Sequence, residues 1–371
     1  MECVAVITEF NPFHNGHALL ARQIKEQFPD RAIIAIMSGS TVQRGELAVY
    51  DKYERAKTAV MNGFDAVLEL PFPFSCSAGE QFARAGVYIA NAIGASTLAF
   101  GSECGDLEAL TVCANELSSP DFIAALGAFC EKNRDVSVPE ARSHVYLTMY
   151  GKELPVKSND ILGIEYLRAI FGNLYPLTPF VIHRTENFTA TDARKALKSG
   201  DGSEKMRLLP ENTAYTEMNK GLCGISELIL GTLRLGIGED NGNGIVNAMR
   251  YCAERSGGFE GFVSMLPTKT YTMARLRREM IAYLFSVTDD DKNEIPAFTS
   301  LLAANKTGQQ YLSSIKKSAR IPILTRYSDA KALGERGRAQ LDAALRADSV
   351  YCLAFGHPVT PMPFRTPYIE K

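Results

Sequence analysis

The chain has no continuous apolar run of the roughly 18 residues that a transmembrane helix needs, so no membrane span is expected. Its first residues, MECVAVITEF, lack a basic n-region and a cleavage site and read as a first β-strand rather than a signal peptide. The eight cysteines (Cys3, Cys76, Cys104, Cys113, Cys130, Cys223, Cys252, Cys352) include no CxxC pair. That spacing argues against a zinc ribbon and for reduced thiols in a cytoplasm. No Walker A sequence, internal repeat or low-complexity tract is present. Neither sign of charge dominates: 40 Lys+Arg against 42 Asp+Glu leave a net charge of −2, which is not by itself the signature of a nucleic-acid binder.

What is present is a globular composition. At 371 residues, 46% hydrophobic and 22% charged, the chain can bury a full core and is expected to split into two domains. CVAVITEF, AIIAIMS, DAVLELP, STLAFGSE and LTPFVIHRT are strand-like runs. Between them GHALLARQIKEQF, YDKYERAKTAVMNG, GEQFARAGVYIANAIG, SNDILGIEYLRAIF and TDARKALKSG have helical periodicity. This alternation predicts right-handed βαβ units and an α/β fold, with a Rossmann-like parallel sheet over residues 1–200 and ligands beyond the carboxyl ends of its strands.

After Gly200 the texture changes. SGDGSEK reads as a linker, strand runs are nearly absent, and segments such as GISELILGTLRLG, YTMARLRREMIAYLFSV and RAQLDAALRADSVYCLAF predict a mainly α-helical domain over residues 201–371. Charge divides at the same place, with 18 basic and 23 acidic residues before it and 22 and 19 after it. Asn305–Arg346 alone holds nine basic residues against three acidic ones. That excess is compatible with a polyanion partner, although a solvated helix face is the simpler account.

Only five histidines occur, yet His14 and His17 lie three residues apart in ITEFNPFHNGH, where the first strand hands over to the first helix. A helix N-terminus at that position offers free N–H groups and a positive dipole end to an anion. Gly16 removes a side chain where a phosphate would approach the backbone. Both histidines are therefore candidates to stabilise the extra charge on an α-phosphate under attack.

HNGH is similar to the HxGH signature of the nucleotidyltransferase superfamily, which shares its adenylation site with class I aminoacyl-tRNA synthetases. FTATDARKAL stands where that superfamily has a triphosphate-binding signature of the ISSTxIR kind, with Thr191 and Arg194 matching and Thr189 and Ala190 replacing the two serines. In order and spacing, ITEFNPFHNGH, MSGSTVQRGELA, DKYERAKTAVMNGFDAVLELP, FGSE, SNDILGIEYLRAI and YTMARLRREM resemble the bacterial tRNA(Met) cytidine acetate ligases. The resemblance implies a nucleotidyltransferase-like ATP-binding domain, then a helical domain with tRNA contacts. It also implies that ATP activates acetate as acetyl-adenylate, and that acetate is then joined to N4 of the wobble cytidine of elongator tRNA(Met).

Carried over by motif, the ATP-binding residues would be Ile7, Thr8, Glu9, Phe10, Asn11, Pro12, Phe13, His14, Asn15, Gly16, His17, Ala18, Leu19 and Leu20, together with Gly101, Asn159 and Arg184. Thr191 and Arg194 would meet the triphosphate, and His14 and His17 would be catalytic. Magnesium is expected with the triphosphate, but no dedicated metal cage is visible. Acetate and elongator tRNA(Met) are the expected partners, with no membrane and no protein partner evident, and the expected location is cytoplasmic. Ser40 and Thr41 stand where the family has Asn-Phe, which would alter substrate preference if that position touches acetate or the target base.

In YTMARLRREM, Arg275 and Arg278 are three apart on one helix face, with Tyr271 a turn earlier, so this helix could meet RNA. The competing account packs Met273, Leu276 and Met280 inward and leaves the arginines in solvent. Arg44 and Lys52 are further candidates for phosphate contact, and His183, beside Arg184, for the pocket. Two other functions fit the first signature: a small-molecule adenylyltransferase, which would not need the long helical half, and a nucleotide-sensing RNA-binding protein.

Overall fold

The computed structural model describes residues 1–184, 189–199, 202–215, 218, 221–242, 244–356 and 367–370. The first half runs β1 (Cys3–Thr8), α1 (Asn15–Gln27), β2 (Ala32–Ser38), a small ribbon of β3 (Thr41–Val42) and β4 (Glu46–Leu47), α2 (Lys52–Met61), β5 (Ala66–Leu70), α3 (Gly79–Ala92) and β6 (Thr97–Ser102). Three helices that the sequence reading passed over follow: α4 (Leu107–Leu117), α5 (Pro120–Lys132) and α6 (Val138–Tyr150). Then come α7 (Ser158–Gly172), β7 (Thr178–His183), α8 (Ala190–Ser199) and α9 (Gly202–Leu208). The stretch expected as a linker therefore lies mostly in helix, with residues 200 and 201 outside the described set.

The second half contains α10 (Ser226–Leu235), α11 (Ile245–Arg255), α12 (Phe259–Met265), α13 (Met273–Leu284), α14 (Asp289–Asn293), β8 (Thr299–Ala304), α15 (Lys306–Ile315), β9 (Ile323–Leu324), α16 (Glu335–Phe355) and β10 (Tyr368–Ile369). The main sheet has the order β10-β8-β5-β2-β1-β6-β7, with β9 paired to β8. Strands β5, β2, β1, β6 and β7 are parallel, in register Val4↔Ile33, Val4↔Thr97 and Ile34↔Ala66. The order reverses between β2 and β6 on either side of β1, so β1 lies at the switch point where open α/β sheets bind ligands.

Strand alternation divides the core. Cys3, Ala5 and Ile7 face α3 and α7 on one side, while Val4 and Val6 join Ala21, Ile24 and Ala59 of α1 and α2 on the other. Helices α10, α11, α13 and α16 bury a third cluster, which also takes in Val42, Leu47 and Phe72 from the first half. The second half is mainly helical, as expected, but it is not free of the sheet. TSLLAA forms β8 and pairs antiparallel with β5. Its short apolar run carries no period by which strand and buried helix can be told apart. Among the described residues no helix is long and apolar enough to cross a membrane.

Candidate functional site

At the end of β1 the chain turns sharply. Phe10 takes φ 46°, a left-handed value uncommon for a non-glycine residue, and is held there by ring packing against Phe13 (4.8 Å) and Phe64 (5.1 Å). His14 then caps α1, which starts at Asn15, one residue before the helical segment GHALLARQIKEQF of the sequence reading. Its Nδ1 accepts the Gly16 N–H at 3.1 Å, and His17 Nδ1 accepts the His14 N–H at 3.1 Å, closing a reciprocal capping box. The two rings stack at 3.7 Å.

This cap decides the chemistry of both rings. With each Nδ1 accepting from backbone, the N–H left on a neutral imidazole is Nε2–H. Both are neutral. Burial, then Arg184 and Arg194, push His14 down to about 3, and burial, His14 and Arg184 push His17 well below its ordinary range. The pair therefore offers fixed neutral donors, and cationic charge at the site comes from arginines. Between about pH 3 and the ordinary histidine value of 6.5 the unfolded chain binds more protons than the folded one, so stability falls as pH drops through that window. Urea unfolding of the His14→Asn/His17→Asn variant should show a flatter decline from pH 6.5 to 5 than the parent.

These residues open onto a cleft of about 720 Å³, large enough for a nucleotide. Of the expected residues, Ile7, Thr8, Glu9, Phe10, Asn11, His14, His17, Leu20, Gly101, Asn159, Arg184, Thr191 and Arg194 line it. Pro12, Phe13, Asn15, Gly16, Ala18 and Leu19 do not. Pro12 and Phe13 are buried, and the Phe13 N–H donates to Tyr215 Oη at 2.6 Å. Asn15 Nδ2 donates to Arg207 O and Leu209 O.

The far wall is built from β6, β7, α7 and α8. Arg194 Nη1 donates to Asn11 O at 2.7 Å and Nη2 to Thr191 Oγ1 at 3.1 Å, tying the two signatures together. Thr189 Oγ1 accepts the Asp192 N–H, so the N-terminus of α8 also faces the cleft. Gly101 lies under Arg184, whose Cδ would stand 3.1 Å from any added Cβ. Buried Asp160 gathers the end of β6 through Ser102 Oγ (2.5 Å) and the Glu103 and Cys104 N–H groups. Glu103 in turn accepts Asn159 Nδ2 at 2.6 Å, which leaves the Asn159 carbonyl as that side chain's acceptor in the cleft.

On the near side, Arg55 is fully buried and donates to Tyr50 O (2.9 Å), Glu9 O (2.6 Å) and Ser38 O (3.1 Å), and also to Gly39 O. Sequence reading gave it no role. Three of these four carbonyls, those of Glu9, Ser38 and Gly39, lie where β1 and β2 end, so it fixes the rim of the switch point. Gln43, Arg44 and Glu46, from the β3–β4 ribbon, complete the lining. Gly45, at φ 73°, rests on the α13 backbone: an added Cβ would come within 2.4 Å of Arg278 N. Arg277 pairs with Glu46, and Arg278 Nη1 donates to Gln43 O at 3.3 Å.

Four expectations resolve differently. Lys52 is not at the cleft: its Nζ lies 2.8 Å from Glu69 and 2.7 Å from Asp348, all buried. Ser40 and Thr41 are buried outside the cleft lining, where Ser40 Oγ donates to Asp348 at 2.5 Å and Thr41 Oγ1 meets Ser75 Oγ at 3.0 Å. Their departure from the family pattern therefore falls outside the cleft. His183 is exposed and bonds Glu103 O at 3.1 Å instead of lining the cleft. On α13 Leu276 and Met280 pack into the core, Met273 is half-buried, and the arginines are not left in solvent, Arg275 sitting over the Tyr271 ring at 5.1 Å.

A family model described as HIGH Nucleotidyl Transferase matches residues 1–361. The tRNA(Met) cytidine acetate ligase of Syntrophotalea carbinolica is 31% identical over 399 aligned positions, covering 95% of this chain and 94% of the relative. That of Listeria monocytogenes serotype 4b is 32% identical, covering 96% of each. The crystal structure of Thermotoga maritima TmcAL bound with alpha-thio ATP superposes with a TM-score of 0.89 at 26% identity over 100% of both chains, and its apo form with 0.90. With the stacked histidines at the end of β1 and a match over nearly its whole length, the chain belongs to the HIGH nucleotidyl transferase family, among the tRNA(Met) cytidine acetate ligases.

Proposed function

We propose that the cleft activates acetate with ATP, forming acetyl-adenylate and pyrophosphate, and that the acetyl group then passes to N4 of the wobble cytidine of elongator tRNA(Met). The observation that carries the first step is the capping box, which presents two neutral Nε2–H donors and the α1 N-terminus at one rim of the cleft. There they would meet the α-phosphate as a carboxylate oxygen attacks it, while Arg184 and Arg194 hold the departing pyrophosphate. Donors fixed before the reaction stabilise developing charge without reorganising.

Among the described residues no group of three or more His, Cys, Asp or Glu side chains could hold a metal ion. A magnesium ion would accordingly travel on the triphosphate with its own waters, leaving the arginines to the protein's share of the charge. Eight unpaired cysteines and a tRNA substrate accord with a cytoplasmic setting. Acetate-dependent exchange of labelled pyrophosphate into ATP, with no tRNA present, tests the first step. Exchange that does not depend on acetate would reject it.

Two residue assignments follow from the geometry. With Nδ2 donating to Glu103, Asn159 Oδ1 would accept from the 6-amino group of adenine, where guanine carries a carbonyl. Replacing Asn159 by Ala should raise KM for ATP about tenfold, the loss of about one neutral hydrogen bond, with little change in kcat. Initial-rate kinetics with ATP and GTP check this. On α13, Arg275 is the side chain free of the Gln43 contact that engages Arg278, and is the better candidate for a tRNA phosphate. Arg275→Ala should lower the slope of log K for tRNA against log salt by about 1, measured by filter binding.

A further inference from the structure

Four carboxylates line the cleft, and three are committed elsewhere. Glu46 is paired with Arg277, Glu103 accepts from both Asn159 Nδ2 and the Asp160 N–H, and Asp192 accepts from Thr189 Oγ1. Glu9 differs. Its Oε1 accepts the Gln43 N–H at 2.6 Å and its main-chain oxygen is held by Arg55 at 2.6 Å, so the main chain and one carboxyl oxygen are both fixed. Its Oε2 has no hydrogen-bond partner among the described residues and is not sealed inside the protein. It therefore opens into the cleft at the same end of β1 as the stacked histidines.

We propose that Glu9 takes the proton from the acceptor amine during acetyl transfer, a role that rests on the ligase reading above. The lone pair of cytidine N4 forms the new bond to the acetyl carbon. The bond from that carbon to the phosphate oxygen breaks, and its electron pair leaves with AMP. One N4 proton passes to Glu9 Oε2 and from there to solvent. An exocyclic amine is a weak nucleophile whose proton becomes acidic only as the C–N bond forms, so a fixed base is useful at that moment.

The surroundings suit a base. Burial raises the carboxyl above its ordinary value, while the Gln43 N–H and then Arg44, Arg55 and Arg194 pull it back. Arg44 comes from the β3–β4 ribbon, Arg55 from α2 and Arg194 from α8. Tyr166 of α7 and Cys76 also sense Glu9, and burial keeps both uncharged. Arg44 and Arg194 line the same cleft, and among the described residues neither forms an ion pair with Glu9.

The test uses the full chain, prepared acetyl-adenylate and elongator tRNA(Met) in single turnover from pH 5 to 9, beside acetate-dependent ATP–pyrophosphate exchange. Glu9→Gln keeps an acceptor for the Gln43 N–H and removes the base. Transfer should slow by about 10²-fold or more and lose its acidic limb, with exchange reduced far less, and Glu9→Asp should restore part of that limb. Transfer within about threefold of the parent with the limb intact, or exchange lost as deeply as transfer, would overturn the assignment. A parent enzyme that makes no acetylcytidine from acetyl-adenylate would instead sink the ligase reading, a result recognisable without any variant.

Discussion

Replacing His17 by Ala lowers acetate-dependent pyrophosphate exchange by about 10²–10³-fold, the loss expected for one preorganised donor at developing charge. The change also removes the acceptor for the His14 N–H, so the capping box opens and the His14 ring loses its stacking partner. His14→Ala should cost as much, and the double variant much less than the product of the two, because the rings act as one unit. Separate substitutions whose effects multiply, or exchange within a few-fold of the parent, would remove the pair from the reaction. Quench-flow exchange assays at saturating ATP make the comparison, since they separate the chemical step from nucleotide affinity.

Replacing Lys52 by Met destabilises the protein by about 3–5 kcal/mol, because it strips the cation from two buried carboxylates. Burial works against the ammonium, but Asp348 and Glu69 outweigh it and hold Lys52 charged above its usual range. In the variant, Glu69 keeps the burial that raises its carboxyl but loses the ammonium that pulls it back, so its folded value lies further above the unfolded one. Stability from such groups is present at low pH and is lost as pH rises through the raised values. The gap between variant and parent in urea midpoints should therefore be wider at pH 8 than at pH 5. The cluster joins α2, β5 and the Ser40 turn to α16, so the variant should also loosen the helical half from the sheet.

These two sites show what a sequence can and cannot reveal. His14 and His17 were legible because their setting is local: a strand ends, the chain turns, and a helix starts within a few residues. Thr191 and Arg194 were found instead through the resemblance of FTATDARKAL to a known signature. Lys52 was misread as a cleft residue because its partner Asp348 lies 296 positions away and nothing in the spacing of either reports the other. Arg55 was missed for a related reason, since it bonds main-chain carbonyls, and carbonyls have no sequence signature. Glu9 fell inside a motif, yet its distinction is one anchored oxygen and one open one, which only the folded chain displays. The β8 strand went unseen because its LLAA run is apolar without alternation, the pattern of a strand buried on both faces.

The central claim is most directly tested by incubating the purified chain with ATP, radiolabelled acetate and elongator tRNA(Met), then digesting the RNA to nucleosides. The account predicts label in N4-acetylcytidine alone, dependent on ATP and lost in His17→Ala. Label absent from the RNA while ATP is consumed, or spread over other nucleosides, would contradict it.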